Sequence, residues 1–121
     1  MAHRDLRVLE ASERAEDRIN ALIDRRSGRR LLHIRQMQDS AHSVGANIME
    51  AFGRDPGRDR ARVLRIARSE AEETIRHLAS NYRQQRIAAR EFWSIRDLLV
   101  VVVRMLTSLA EKEGRRRPPR G

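Results

Sequence analysis

Apolar residues recur every three or four positions along most of the chain, and no other feature of the sequence constrains the fold as strongly. This spacing places the apolar side chains on one face of an α-helix. Proline, which interrupts helices, is absent before Pro56 and then until Pro118. Turn signals at residues 27–28 and 53–57, and a lapse in the pattern near residues 87–90, divide the chain. The predicted helical segments lie near residues 5–26, 30–53, 58–86 and 91–113.

Four segments of similar length, joined by short connections, favour an antiparallel up-down-up-down four-helix bundle. The 121 residues suffice for one modest hydrophobic core. We therefore predict an all-α fold with a four-helix bundle over residues 1–113. A short, disordered basic C-terminal tail is predicted over residues 114–121, because this stretch holds arginine, proline and glycine but no large apolar residue to pack.

The last helical segment has apolar residues on two faces, and one of these faces has the spacing of a core stripe. Trp93, Val100 and Val101 lie outside that stripe. The valine run would also suit a short β-strand, but no partner strand is recognisable, and helical spacing resumes at Met105. A second apolar face needs a second partner, so Trp93, Val100 and Val101 are predicted to form an oligomer interface. The core stripe consists of Phe92, Ile95, Leu99, Val102, Leu106 and Leu109.

The chain is strongly basic, with 26 lysine and arginine residues, 17 acidic residues and a net charge of +9. Lys112 is the one lysine, and the other cations are arginines. This excess favours a polyanionic partner. The candidate nucleic-acid-binding residues lie on one face of the third segment and in the tail. They are Arg58, Arg62, Arg65, Arg76, Arg83, Arg115, Arg116 and Arg117.

The sequence supports two interpretations of these arginines. A row of guanidinium groups binds phosphates, whereas a solvated helix face carries ion pairs within the chain or between subunits. In the first segment Arg7, Arg14, Arg18 and Arg25 run beside a row of acids, which favours ion pairing there. In the third segment the row is interrupted mainly by Glu72, and both interpretations stay open. The tail is either an electrostatic arm for nucleic acid or a solubilising terminus.

Several classes of function are excluded or disfavoured by the sequence. The absence of cysteine excludes disulfides, thiol nucleophiles and cysteine metal sites. Residues 39–42 supply one half of a di-iron motif, and no catalytic triad or phosphate-binding loop is recognisable, so we predict no enzyme activity, cofactor or metal. The longest apolar run, residues 98–103, is too short to span a bilayer, and the N-terminus has no signal segment. A cytoplasmic protein without membrane contact is therefore expected.

A polar row follows one flank of the apolar stripe in the second segment. It consists of Gln36, Ser43, Asn47 and Glu50. Serine and asparagine are mediocre helix formers, so their place inside a helix calls for a reason. One interpretation is a buried hydrogen-bond network that closes on Glu73 of the next helix, and the alternative is a wet edge of the bundle.

Residues 43–54, with the pattern around residues 64–78, resemble a four-helix-bundle family first noticed in intervening sequences of 23S ribosomal RNA genes. That family is similar to the accessory variability determinant of diversity-generating retroelements. Its hallmark resembles Ser-Ile-Pro-x-Asn-Ile-Ala-Glu-Gly, an aromatic or charged residue, and then Gly-Arg. The matching residues are Ser43, Asn47, Ile48, Glu50, Gly53, Arg54 and Glu73. The departures are Gly45 for proline, Met49 for alanine, Ala51 for glycine and Glu70 for serine.

The resemblance implies a closed homo-oligomer, a pentamer, without catalytic activity. It also implies RNA or a reverse transcriptase as a partner, because the accessory determinants bind both a reverse transcriptase and nucleic acid through basic surfaces. Our leading hypothesis is an oligomeric bundle that binds RNA or an RNA-associated protein through its arginines. The alternative is a structural or protein-interaction scaffold whose basic surface binds no nucleic acid. A metal-dependent bundle enzyme is the least favoured hypothesis.

Overall fold

The computed structural model describes residues 3–25 and 30–116. It contains four helices: α1 (His3–Arg25), α2 (Ile34–Phe52), α3 (Arg58–Arg83) and α4 (Ala89–Gly114). No residue in the described ranges belongs to a β-strand, and the valine run of residues 100–103 is helical. The all-α prediction is confirmed, and the strand interpretation of the valine run is wrong. None of the helices in the described ranges has the length and apolar character needed to cross a membrane.

Each helix packs against two others, so that α1 and α3 both lie between α2 and α4. The contacts join the end of one helix to the start of another. Arg25 at the end of α1 bonds Glu91 at the start of α4 (3.0 Å), and Arg60 near the start of α3 approaches Glu113 near the end of α4 (3.4 Å). This arrangement is compatible with an up-down order of helices.

The core extends along the bundle as two adjoining clusters of buried side chains. One cluster includes Val44, Ile48 and Leu106, and the other includes Ile19 and Leu99. Every position of the predicted α4 core stripe is buried, as the helical periodicity requires. Polar residues are also buried inside the bundle: Ser12, Ser40, Thr74, Asn81 and Glu113.

Helix α2 begins at Ile34, later than the sequence indicates, because α3 holds the preceding residues in a non-helical conformation. The Asn81 side chain accepts a hydrogen bond from the Leu32 backbone N–H (2.7 Å) and donates one to the Leu32 carbonyl (3.1 Å). His33 then adopts a left-handed conformation, with φ of 56°, immediately before the helix. Asn81 is fully buried and therefore ties the chain before α2 to the end of α3.

Helix α3 ends at Arg83, three residues before the predicted boundary. Gln85 has a positive φ of 58°, which breaks the helical path. The Arg86 backbone N–H donates to the Asn81 carbonyl (2.8 Å), so the chain reverses with one of the last carbonyls of α3 satisfied. The predicted break near residues 87–90 therefore begins earlier, at the end of α3.

A network of charged groups closes the end of the bundle where α2, α3 and α4 meet. Glu113 accepts a hydrogen bond from the Gly57 backbone N–H (2.8 Å) and approaches the Arg60 guanidinium. Arg60 also donates to the carbonyl oxygens of Ala51 (3.1 Å), in the last turn of α2, and of Arg54 (2.9 Å), just beyond it. Gly57 has a φ of 105°, which favours glycine. We call Gly57, Arg60 and Glu113 the clasp.

Candidate nucleic-acid interface

The outward face of α3 carries the arginines predicted to bind nucleic acid. The opposite face is fully buried at Leu64, Ala67 and Leu78, so helical geometry directs the arginines to solvent. All five are exposed: Arg58, Arg62, Arg65, Arg76 and Arg83. The structure therefore brings this part of the predicted set together on one surface.

Three of these five guanidinium groups have no hydrogen bond or ion pair with any described residue: those of Arg58, Arg65 and Arg76. Arg62 donates to the Asp59 carboxylate (3.0 Å), and Arg83 donates to the Ser80 hydroxyl (3.2 Å). The Arg62 hydrogen bond lowers the pKa of Asp59 below its ordinary value. This pair is solvent-exposed, where ion pairs contribute little to stability. Most of the guanidinium groups on this face are consequently solvated and are engaged by no described residue.

The arginines of α3 fall into two groups along the helix. We call Arg58, Arg62 and Arg65 the proximal cluster, and Arg76 and Arg83 the distal cluster. Exposed Ser69 and Glu72 lie between them, and Glu72 is 3.9 Å from the Arg68 guanidinium. A helical rise of 1.5 Å per residue separates Arg65 from Arg76 by about 17 Å. The face is thus a pair of cationic patches around a carboxylate.

The C-terminal end of α4 adjoins the proximal cluster. An Nη atom of Arg65 lies 3.3 Å from the position that a Cβ on Gly114 would occupy. Arg115, which follows, is exposed, and Arg116 is 3.7 Å from the Glu113 carboxylate. Positive charge near a helix C-terminus is favourable because the last carbonyls carry partial negative charge. Arg117 lies outside the described residues.

The arginines of α1 are arranged differently. Arg25 pairs with Glu91, and Arg18 donates to the Ser94 hydroxyl, so both bind α4 of the same chain. Glu16 beside them bonds the His42 ring of α2 (2.9 Å). Arg7 and Arg14 bind none of the described residues. Two of the four α1 arginines therefore bind α4, one of them through an ion pair, and no ion pair among the described residues joins this row to the acids beside it on α1.

The predicted oligomer interface on α4 is unevenly exposed. Trp93 and Val101 are each 48% exposed, whereas Val100 is half-buried. The Trp93 ring packs edge-on against Phe92 (5.0 Å between centroids), and the Arg96 guanidinium lies 5.4 Å from its centroid. Two of the three predicted residues thus present substantial apolar surface to solvent.

Potential metal ligands do not cluster in the described parts of the chain, where no group of three or more histidine, aspartate or glutamate side chains could hold an ion. The His77 ring lies 5.3 Å from the His33 ring, and its Nε2 atom is buried without a hydrogen-bond partner. Burial lowers the pKa of His77, Glu73 raises it, and His33 and Arg76 lower it further. Burial of the ring therefore favours the neutral form of His77.

A comparison with known protein families shows which family the chain belongs to. The model described as "23S rRNA-intervening sequence protein" matches residues 4–108. The chain belongs to the 23S rRNA-intervening sequence protein family. No curated protein matches it. The crystal structure of a protein of unknown function from the S23 ribosomal protein family of Bacteroides thetaiotaomicron is similar, with 27% identity and a TM-score of 0.80. The similarity covers 89% of this chain and 98% of that one.

The residues that carry the family resemblance lie mainly along α2. Asn47 donates to the Ser43 carbonyl of its own helix (2.8 Å), and Glu50 pairs with Arg54 (2.8 Å). Gly53 is the C-cap of α2. Within the described ranges no hydrogen bond links this row to Glu73, so the predicted network does not form and the row is a partly solvated edge.

The departures from the family pattern have identifiable surroundings. A Cβ on Gly45 would lie 3.4 Å from the Ser12 hydroxyl oxygen, so glycine here lies opposite α1. Burial and the neighbouring Glu73 raise the pKa of Glu70. Met49 is 55% exposed. These substitutions leave the α2–α3 packing intact.

The polar groups that do join α2 to α3 were missed by the sequence interpretation. The Ser40 and Thr74 hydroxyls are buried and hydrogen-bonded to each other (2.7 Å). The available signal was a hydroxyl residue inside each apolar stripe, because Ser40 lies between Met37 and Val44 at helical spacing and Thr74 lies between Ala71 and Leu78. Arg60 and Glu113 also lie at stripe positions of α3 and α4, but the sequence does not indicate which groups they bind.

Proposed function

We propose that this family member is a non-enzymatic, cytoplasmic up-down-up-down bundle that forms a homo-oligomer and binds RNA or an RNA-associated protein through arginine. The observation that carries the proposal is the set of exposed guanidinium groups on one face of α3, those of Arg58, Arg65 and Arg76, which pair with no residue that the structure describes. An unpaired guanidinium group is free to form bidentate hydrogen bonds with a phosphate. The net charge of +9 supports the same partner through release of counterions from the RNA.

The family description names 23S rRNA, which makes ribosomal RNA the first polyanion to test. The neighbouring crystal structure carries the name of a ribosomal protein family together with unknown function. A reverse transcriptase is the other partner implied by the family resemblance. In both cases the arginine face of α3 and the start of the tail, Arg115 and Arg116, supply the basic contact surface.

Self-association is proposed through the outer face of α4. Trp93 and Val101 offer exposed apolar surface, and covering it releases about 25 cal/mol per Å² of apolar area. The family resemblance implies five copies in a closed ring. Light scattering is expected to give about five times the chain mass of 14.1 kDa. A Trp93→Asp and Val101→Asp double variant is expected to dissociate, whereas a stable wild-type monomer would refute the assembly.

The RNA proposal is tested by fluorescence anisotropy with a structured ribosomal RNA fragment at increasing salt. We expect binding at low salt that weakens steeply with ionic strength, because phosphate contacts displace counterions. Replacement of Arg58 and Arg65 by glutamine should weaken binding, while replacement of Arg7 and Arg14 on α1 serves as a charge-matched control. Absence of binding at low salt would favour the alternative function of a protein-interaction scaffold, which the exposed α4 face supports.

A further inference from the structure

The chain presents no aromatic surface on its arginine face. Its aromatic residues are one tryptophan, one tyrosine and two phenylalanines. Tyr82 is stacked on Phe92 (4.5 Å), Phe52 lies under the Arg60 guanidinium (5.1 Å), and exposed Trp93 is on α4. Proteins that hold single-stranded nucleic acid stack the bases on aromatic rings. The α3 face lacks this means of holding unpaired bases.

The spacing of charge on α3 also differs from a continuous track for one strand. The proximal and distal clusters are separated by about 17 Å, measured from Arg65 to Arg76 along the helix axis. Glu72 and Ser69 occupy the interval. A carboxylate in the middle of a phosphate track would repel the strand. Two cationic patches around an acceptor instead suit a surface with two phosphate ridges and hydrogen-bond donors between them.

Double-helical RNA has such a surface. Its minor groove is wide and shallow, is bordered by the two phosphate backbones, and displays 2′-hydroxyl groups that donate hydrogen bonds. The 26 residues of α3 span about 39 Å, which is long enough to cross the groove with arginines on both sides. The Glu72 carboxylate and the Ser69 hydroxyl would then accept hydrogen bonds from 2′-hydroxyls, which DNA lacks.

We propose that the outward face of α3 binds double-helical RNA across one minor groove. The proximal cluster contacts one phosphate backbone, the distal cluster contacts the other, and Glu72 faces the 2′-hydroxyls between them. This inference rests on the proposed RNA-binding function and names the form of RNA that the site takes. The contacts involve backbone and sugar, so binding is independent of base sequence.

The test compares three ligands by fluorescence anisotropy at one low salt concentration, with the full-length protein. The ligands are an RNA duplex of about 20 base pairs, one of its strands with an unstructured sequence, and a DNA duplex of the same sequence. We expect the RNA duplex to bind at least about tenfold more tightly than the single strand and several-fold more tightly than the DNA duplex. The variants are Arg76→Gln with Arg83→Gln, the control Arg7→Gln with Arg14→Gln, and Glu72→Ala.

The distal-cluster variant is expected to lose about tenfold in duplex affinity, and the α1 control less than twofold. Glu72→Ala removes a negative charge and therefore strengthens binding to both duplexes, but its RNA-to-DNA affinity ratio should fall about threefold. Equal affinity for duplex and strand, an unchanged ratio in Glu72→Ala, or an equal loss in the α1 control would overturn this inference while RNA binding stands. Failure of all three ligands to bind would instead overturn the proposed function.

Discussion

Arg60 differs from Arg58 and Arg65, which lie on the first turns of the same helix α3, in its exposure to solvent and in its bonding partners. Arg60 is 16% exposed, approaches the Glu113 carboxylate and donates to backbone carbonyls at the end of α2. Arg58 and Arg65 are exposed, and neither binds another described residue. Helical phase separates them, because Arg60 points toward α2 and α4 while the others point to solvent. The comparison teaches that net charge alone does not identify a binding surface, because an arginine such as Arg60 is engaged within the fold, whereas Arg58 and Arg65 stay available to a ligand.

The largest effect on stability is expected from breaking the clasp. Glu113→Ala leaves the Arg60 guanidinium and the Gly57 N–H without their carboxylate in a largely buried site. We expect the free energy of unfolding to fall by about 2–3 kcal/mol, measured by urea denaturation. Glu111→Ala, on the exposed side of the same helix, is the control and should change it by less than about 0.5 kcal/mol. Equal effects of the two substitutions would show that the clasp has no structural role.

The contrast between a buried polar residue bound within the fold and a more exposed one also holds at the other end of α3, where Asn81 is buried. Asn81→Ala removes three hydrogen bonds, to the Leu32 N–H, the Leu32 carbonyl and the His77 carbonyl. We expect a loss of about 2 kcal/mol in the free energy of unfolding, because the Leu32 groups become unsatisfied. Asn47→Ala removes one hydrogen bond within α2 and should cost less than about 1 kcal/mol. A smaller loss for Asn81→Ala than for Asn47→Ala would contradict the role of Asn81 in tying the chain before α2 to the end of α3.

The opposite result is expected for the exposed arginines. Replacement of Arg58, Arg62 and Arg65 by glutamine removes one exposed ion pair and relieves repulsion among like charges. The free energy of unfolding should therefore stay within about 0.5 kcal/mol of the wild type. Thermal denaturation followed by circular dichroism checks this. A destabilisation as large as that of Glu113→Ala would place the proximal cluster among the structural arginines.

The smallest expected effect concerns pH and His77. Because the pKa of His77 is lowered in the folded protein, the unfolded chain binds more protons as the pH falls below the ordinary value of 6.5. His77 thus contributes stability above that pH, and the contribution is lost as the pH decreases through its folded pKa. His77→Gln should flatten the decline relative to wild type in urea titrations. If the free energy of unfolding of His77→Gln depends on pH as that of wild type does, His77 is not the source of the decline.

The sequence predicted those parts of the structure that depend on periodicity. The α4 core stripe and the exposure of Arg58, Arg62 and Arg65 follow from helical phase within one segment. Helical phase places Arg60 and Glu113 on the core-facing stripes of α3 and α4, but they are 53 positions apart, and no local pattern indicates that they pair with each other. The same holds for Asn81, whose partner Leu32 precedes α2. The hydrogen-bond network considered between Asn47 and Glu73 does not form, because the Asn47 side chain donates instead to the Ser43 carbonyl of its own helix.

The central claim is that unpaired arginines on α3, rather than arginines in general, bind RNA. The most direct test is the slope of log affinity against log salt concentration for wild type and for the Arg58→Gln, Arg65→Gln, Arg76→Gln variant with one RNA duplex. Each phosphate contact contributes about one unit, so the variant slope should be shallower by about three. An unchanged slope would contradict the account, because the RNA would then bind elsewhere on the molecule.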